Sequence, residues 1–261
     1  MDPGRLSAGP MQAHAFVLHL TRARKRRDNA HALKEECGLP GELWAAVDGA
    51  ALDAADLAAE TGARLFDPAY PFPLKPGEIG CFLSHRQVWA EILRRDLSHA
   101  LILEDDVTLD PETFPRALAL ATANIDACGY IQLQDRPPQS GPRLIDQSGP
   151  ARLTLADIPQ LRTSAQLVSR AAARRLLDAS EVIDRPIDAF LQCHWHTGLR
   201  PAAIHPAGIR TIADQLDGST IQGGRKSLPE KLWREAARFR YRRALARHAR
   251  ASAAPLPEGT E

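Results

Sequence analysis

Three consecutive carboxylates, Glu104, Asp105 and Asp106, stand directly after the apolar run Ala100-Leu-Ile-Leu103. Anions crowded at the end of a buried strand repel one another and need a compensating cation. Their hard oxygen ligands suit Mg²⁺ or Mn²⁺, ions that also favour phosphate oxygens. Open α/β sheets bind ligands at the carboxyl ends of their strands, where these acids fall. In an extended chain Glu104 and Asp106 share one side and Asp105 points the other way. The competing reading is a solvated strand end running into a turn.

A second group, Arg22, Arg24, Lys25, Arg26 and Arg27, follows the apolar stretch Ala15-Phe-Val-Leu-His-Leu20. Guanidinium groups at a helix N-terminus make a natural diphosphate site. The chain has no GxGxxG and no Walker loop, so neither a dinucleotide nor a P-loop site is indicated. A solvated helix face accounts for Arg24, Lys25 and Arg27. In Arg185-Pro-Ile-Asp188, Pro186 can start a helix, and Asp188 in its first turn is favoured by the helix dipole whatever its role. Given a substrate hydroxyl within hydrogen-bonding reach, Asp188 can also serve as a general base.

Other constellations carry less. Cys193-His194-Trp195-His196 has soft and imidazole ligands that select zinc, but no second half of a four-ligand set accompanies it. One of these histidines, or His205, can still complete coordination of an ion held by the acids. Ser84 and His85 are neighbours on a helix and point in different directions, and there is no GxSxG elbow for a nucleophilic serine.

The elements that position these groups follow from hydrophobic period. Residues 15–20 read as a buried strand, with Thr21 able to cap a helix over 22–37. Residues 43–47 read as a second strand, closed by Asp48-Gly49, and 53–60 as a short helix. Pro68, Pro71, Pro73 and Pro76 mark 66–77 as a loop. The clearest helix is 78–96, where Ile79, Phe82, Leu83, Trp89, Ile92 and Leu93 line one face. Residues 100–103 form a continuous apolar run, the mark of a central strand covered on both faces. A helix over 111–125, a strand over 130–134, a long surface loop over 135–164, a strand over 166–169 and a helix over 170–179 follow. Strands alternating with helices predict an α/β fold with a largely parallel sheet.

Composition bounds the rest. The 261 residues carry 33 basic and 32 acidic side chains, enough chain for one sizeable core. No run approaches the roughly 18 apolar residues of a membrane span, and Met1–Pro10 lacks the apolar centre of a secretory signal. The four cysteines form no CxxC pair, so a reducing cytoplasm is expected. Residues 226–250 hold nine basic and two acidic side chains, a net +7 that leaves −6 for the rest of a chain whose total is +1. A basic tail on an acidic body does not make a nucleic-acid binder. Leu232, Trp233, Ala236, Phe239 and Leu245 lie roughly along one helical face, so the tail reads either as a helix lying on an anionic membrane surface or as one docked on the body.

The ordered set of motifs resembles glycosyltransferase family 25. Val17-Leu-His-Leu-Thr-Arg22 with Arg26, then Ala46-Val-Asp-Gly49, is similar to that family's opening. Pro76-Gly-Glu-Ile-Gly-Cys81 with Ser84-His85, followed by Leu101-Ile-Leu-Glu-Asp-Asp106, resembles its central signature. Thr163-Ser164, Asp188, Pro206, and Ser219-Thr-Ile221 near Arg225 extend the likeness to about residue 225. His19 stands where the family usually has Asn, and Gln166 where a Tyr after a small residue is common.

The resemblance implies a GT-A fold: a Rossmann-like, mostly parallel central sheet flanked by helices. It implies a single catalytic domain over 15–225, after an N-terminal extension over 1–14 and before a basic C-terminal helix and tail over 226–261. It also implies a UDP-sugar donor, typically UDP-galactose, with Mn²⁺ or Mg²⁺ on Glu104 and Asp106. Leu20, Arg22, Arg26, Asp48, Gly49 and Asp105 are the donor-binding positions, with Asp48 and Gly49 at the nucleoside end. Asp188 is the candidate catalytic base for inverting transfer to a hydroxyl of a glycan or glycolipid precursor, as in lipopolysaccharide biosynthesis. The expected setting is the cytoplasm, peripheral on the inner membrane face. Two rivals differ in class. A receiver domain needs a downstream Lys, and none lies between Lys75 and Lys226. A degenerate protein that binds a nucleotide sugar without turning it over differs only in activity.

Overall fold

The computed structural model describes residues 12–138, 141–212 and 228–252. The chain opens with strand β1 (Ala13–His19), a short 3₁₀ turn over Arg24–Arg26 and helix α1 (Arg27–Glu36). Strand β2 (Gly41–Ala45), helix α2 (Ala54–Glu60) and the long helix α3 (Pro76–Arg94) follow. Next come β3 (His99–Glu104), β4 (Val107–Leu109), α4 (Thr113–Cys128) and β5 (Tyr130–Leu133). A hairpin of β6 (Arg143–Ser148) and β7 (Ala151–Leu155) precedes β8 (Ala165–Ser169) and α5 (Arg170–Asp178). Two short helices, α6 (Ile187–Leu191) and α7 (His194–Thr197), lead to β9 (Ala202–His205), β10 (Ile209–Thr211) and the helix α8 (Leu228–Ala251).

Eight strands form one sheet in the order β2-β1-β3-β8-β5-β9-β7-β6. Only β8 and β7 run against the other six, so the sheet is mostly parallel by direction, as expected. Strand β4 pairs with β10 in a separate antiparallel ribbon. The period-2 alternation of the central strands divides the core between the two faces. Ala15, Val17, Leu101 and Leu103 meet Ala30 and Leu33 of α1 and Phe114 and Ala117 of α4. Phe16, Leu18, Ala100 and Ile102 meet Phe82, Val88, Trp89 and Ile92 of α3 and Leu176 of α5. Full burial of side chains of this size contributes about 1.5–3 kcal/mol each. The apolar run of β3 is thus covered on both sides, as its continuity predicts.

Three sequence expectations are corrected. The segment 135–164 is not simply a surface loop, for it contains the β6–β7 hairpin. Gly149, at φ 56°, and Pro150 make the turn between the two strands, so the breaker pair marks a hairpin. Strand β6 lies at the sheet edge and is largely exposed, which removes the apolar alternation that would reveal it. Thr21 does not cap the first helix, because the chain makes a turn and a 3₁₀ segment before α1 begins at Arg27 without a side-chain cap. Strand β2 starts at Gly41 rather than Leu43, since Ala15 pairs with Gly41, where any side chain would press on Ala15.

Helix α8 departs from its expected face. Ala237, Leu245 and Ala249 are buried. Tyr241 sits 5.5 Å from Tyr70, His248 stacks 5.2 Å from Trp195, and Ser252 bonds His194 Nδ1 at 3.0 Å. Leu232 and Phe239 are 74% and 61% exposed. At 100° per residue they lie roughly opposite the docked line of 237, 241 and 245. The expected single stripe is therefore two stripes, one docked and one outward. The motif Ser219-Thr-Ile221 and Arg225 lie outside the described residues.

Candidate active site

The tips of β1, β2 and β3 lie side by side, with Leu18 level with Glu104 and with Trp44. Strand β3 ends at Glu104, and Asp105 and Asp106 form a turn into β4, so extended-chain alternation stops at Glu104. Asn29 of α1 fixes this turn by donating to the carbonyls of Asp105 and Val107 at 2.9 and 2.8 Å. Nothing in the local sequence pattern distinguishes Asn29 from any other polar helix residue.

The three acids have three environments. Asp105 is buried, its Oδ2 2.7 Å from His19 Nδ1 and its Oδ1 accepting from Arg26 Nη1 at 3.0 Å. These inward partners hold Asp105 as a brace between β1, the following turn and β3. Glu104 Oε1 accepts from Thr163 Oγ1 at 2.7 Å and stands 3.6 Å from His85 Nε2. Burial works against its charge, but His85, Thr163 and Arg26 outweigh that and keep Glu104 ionised to lower pH than an ordinary carboxyl. Asp106 Oδ2 is 3.4 Å from Arg26 Nη1, while its Oδ1 is buried with no partner. Burial, then the neighbouring Glu104 charge, pushes Asp106 up to about 6 despite Arg26. An orphaned carboxylate oxygen beside a second carboxylate has the donor set a hard divalent cation uses, and these residues fit one.

The other predicted residues gather around the same edge. Arg22 pairs with Asp48, its Nη2 donating to Oδ1 at 3.2 Å, and this pairing holds Asp48 below the usual carboxylate range. The pair lines a cleft of 570 Å³ together with Thr21, Arg24 and Ala46. Leu20 is half-buried just before this cleft, and its carbonyl accepts from Ala23 N at 2.8 Å. Gly49 has a packing duty: a Cβ there would fall 1.8 Å from the Pro76 carbonyl oxygen, and one on Gly80 2.6 Å from the Val47 oxygen. The two glycines let the loop after β2 press against the first turn of α3.

Asp188 lies in the first turn of α6, where its Oδ1 accepts from Ala189 N at 2.7 Å. Pro186 stands just before the helix rather than opening it. Burial raises the Asp188 pKa, and the nearby charges of Glu104 and Glu78 raise it further. Asp188 therefore shares the electrostatic neighbourhood of the strand-tip acids.

Besides His19 on Asp105, the histidine beside those acids is His85, next to Glu104. His194 is engaged by Asp157 O and Ser252 at 2.9 and 3.0 Å, and His196 bonds Ala179 O at 3.2 Å while stacking on Phe66. Neither stands in the one three-residue group of possible metal ligands among the described residues, which is Cys81, His85 and Glu104. His205, on β9, is likewise outside it. Ser84 is a pin, accepting from Val47 N at 2.8 Å and donating to Gly80 O at 2.7 Å. His85 Nδ1 accepts from Gln166 Nε2 at 2.9 Å, and Gln166 Oε1 accepts from the Tyr130 hydroxyl at 2.8 Å. The two departures noted in sequence thus have definite places: His19 holds Asp105, and Gln166 holds His85. The i, i+4 spacing of Cys81 and His85 was the available signal for this group.

An α/β sheet carrying acids at one strand tip and an Arg–Asp cleft at its neighbours defines a Rossmann-like domain whose candidate site lies at the strand tips. The profile of glycosyltransferase family 25 (LPS biosynthesis protein) matches residues 12–139, and this part of the chain carries that family's domain. A glycosyltransferase 25 family member of Drosophila pseudoobscura pseudoobscura is 41% identical over 42% of this chain and 18% of its own length. The procollagen galactosyltransferase 2 of Homo sapiens is 32% identical over 67% of this chain and 29% of its own. The chain thus spans less than a third of either relative. A solved mannose-1-phosphate geranyltransferase from Thermus thermophilus aligns over 74% of each chain at 14% identity with a TM-score of 0.35, a level from which no function follows.

Proposed function

We propose that the chain is a metal-dependent inverting glycosyltransferase that moves a hexose, galactose by preference, from a UDP-sugar to an acceptor hydroxyl. The observation that carries the reading is Asp106: a half-buried carboxylate with one buried, unpartnered oxygen, next to Glu104, at a strand tip beside an Arg–Asp cleft. The family-25 match over residues 12–139 supports glycosyl transfer, and relatives named procollagen galactosyltransferases support the choice of sugar.

In this reading Glu104 and Asp106 hold the divalent ion, which when bound neutralises charge on the departing diphosphate. Arg26 and Arg22 add positive charge at the same edge, and Asp48 faces the nucleoside. Asp105, braced by His19 and Arg26, keeps the acid turn in place for the donor. Asp188 takes the proton from the acceptor hydroxyl, and its raised pKa favours proton acceptance at neutral pH. The acceptor is a glycan or glycolipid precursor at the cytoplasmic face of a membrane, with the outward stripe of α8 on the anionic lipid.

The test is a donor-hydrolysis and transfer screen with UDP- and GDP-sugars, with and without Mn²⁺, against glycan, glycolipid and procollagen-peptide acceptors. Activity is expected with a UDP-hexose only when the ion is present, and Asp106→Ala is expected to lower it by about 10²-fold or more. Full activity in excess chelator overturns the metal assignment. Donor binding with no turnover on any acceptor overturns the enzyme in favour of a binding protein.

A further inference from the structure

We propose that Cys81, His85 and Glu104 form a site for a borderline-soft divalent cation of the Zn²⁺ class, which shares Glu104 with the hard-ion pair Glu104–Asp106 but takes its other ligands from α3. Cys81 and His85 are one turn apart on α3 and share a face. The Cys81 Sγ, a His85 ring nitrogen and a Glu104 carboxylate oxygen all lie within 4.8 Å of one another. His85 Nε2 stands 3.6 Å from Glu104 Oε1. Tetrahedral zinc, with bonds of about 2.0–2.3 Å, sets its ligands roughly 3.3–3.7 Å apart, a range that already includes the His85–Glu104 separation.

A second observation points at a ligand. His85 is fully buried, and its Nε2, directed at Glu104, has no hydrogen-bond partner. A buried polar atom without a partner in a native fold requires an explanation, and a metal supplies it. The ring is held from behind by Gln166, itself tied to Tyr130. Turned end for end, the Gln166 amide accepts from Nδ1–H instead, the Tyr130 hydroxyl accepts from the amide, and the Nε2 lone pair faces the ion. Burial first, and then the charges of Glu104, Asp188, Asp106 and Glu78, disfavour a bare Cys81 thiolate, and that negative field attracts a cation. The thiol proton leaves to solvent as the sulfur–metal bond forms. Sulfur and imidazole together select zinc-like ions over Mg²⁺ and Mn²⁺.

Titration of the metal-free, full-length protein with Co²⁺ tests the site by absorption. One equivalent is expected to produce a sulfur-to-cobalt charge-transfer band that Zn²⁺ abolishes by displacement. The band is expected to vanish in Cys81→Ser, Co²⁺ affinity to fall at least 10-fold in His85→Gln, and the band to persist in Asp106→Asn, each variant being verified as folded by circular dichroism. Zinc X-ray absorption on the unaltered protein needs no variant and is expected to show one sulfur at about 2.3 Å. Cobalt binding without the band, a band that survives Cys81→Ser, or a zinc shell of nitrogen and oxygen alone overturns the proposal. Loss of the band in folded Asp106→Asn makes Asp106 a ligand of this ion too and overturns the assignment of its other ligands to α3.

Discussion

Ionisation of Asp106 costs the fold stability. Its carboxyl titrates at about 6 in the fold against an ordinary value of 3.8, because burial and then Glu104 oppose its charge. Between those values the folded chain holds a proton that the unfolded chain has released. The stability this confers is full below about pH 4 and is lost as pH rises to 6. In metal-free buffer Asp106→Asn is therefore expected to be more stable than the parent at pH 7 by about 3 kcal/mol, with the gain gone by pH 4. Urea midpoints at the two pH values measure this, and an equal gain at both contradicts the origin assigned to the shift. The acids themselves were legible in sequence, since carboxylates directly after an apolar run have few other uses. The residues that give each acid its environment were not, because Asn29, His85, Thr163 and Gln166 are distant in sequence and belong to four separate segments.

At the scale of elements, the loop after β2 and the first turn of α3 are joined by two glycines facing each other. A methyl group on Gly49 has nowhere to go but into the Pro76 carbonyl, so loop and helix must part. Gly49→Ala is expected to destabilise the fold by about 1–3 kcal/mol, read as a lowered melting temperature, and to weaken donor binding through displacement of Asp48. Unchanged melting would show that the loop yields freely. Elements with a strong period, such as α3 and β3, matched their sequence reading to within two residues. The β6–β7 hairpin did not, since an edge strand exposed on both faces carries no two-sided pattern and its Gly-Pro turn looks like any loop. The 3₁₀ segment before α1 escaped for a related reason: runs of Arg and Lys carry no hydrophobic period.

Across the molecule, exposed basic and apolar side chains come together on one helix. No helix among the described residues is long and apolar enough to cross a membrane. Helix α8 instead docks one side on the body and turns Leu232 and Phe239 outward among exposed arginines, including Arg240, Arg242 and Arg243. Such a stripe suits attachment to anionic lipid, driven by charge and a little apolar insertion. Flotation with anionic liposomes is expected to recover the intact chain but not Leu232→Glu/Phe239→Glu, and high salt is expected to release it. Equal recovery of both proteins, or equal binding to neutral liposomes, removes the membrane role. The basic composition of this segment was legible in sequence. Its orientation was not, because which side docks depends on Tyr70 and Trp195 far upstream.

The sheet order has one more consequence, for how the protein comes into being. Strand β8 arrives late in the chain yet lies between β3 and β5, and β9 arrives later still to lie between β5 and β7. A nascent polypeptide that has emerged only to residue 139, the limit of the family profile, carries β3 and β5 with the gap between them unfilled. The segment that matches the family profile is thus expected not to fold on its own. On the ribosome it must wait for its own later half to close the seam.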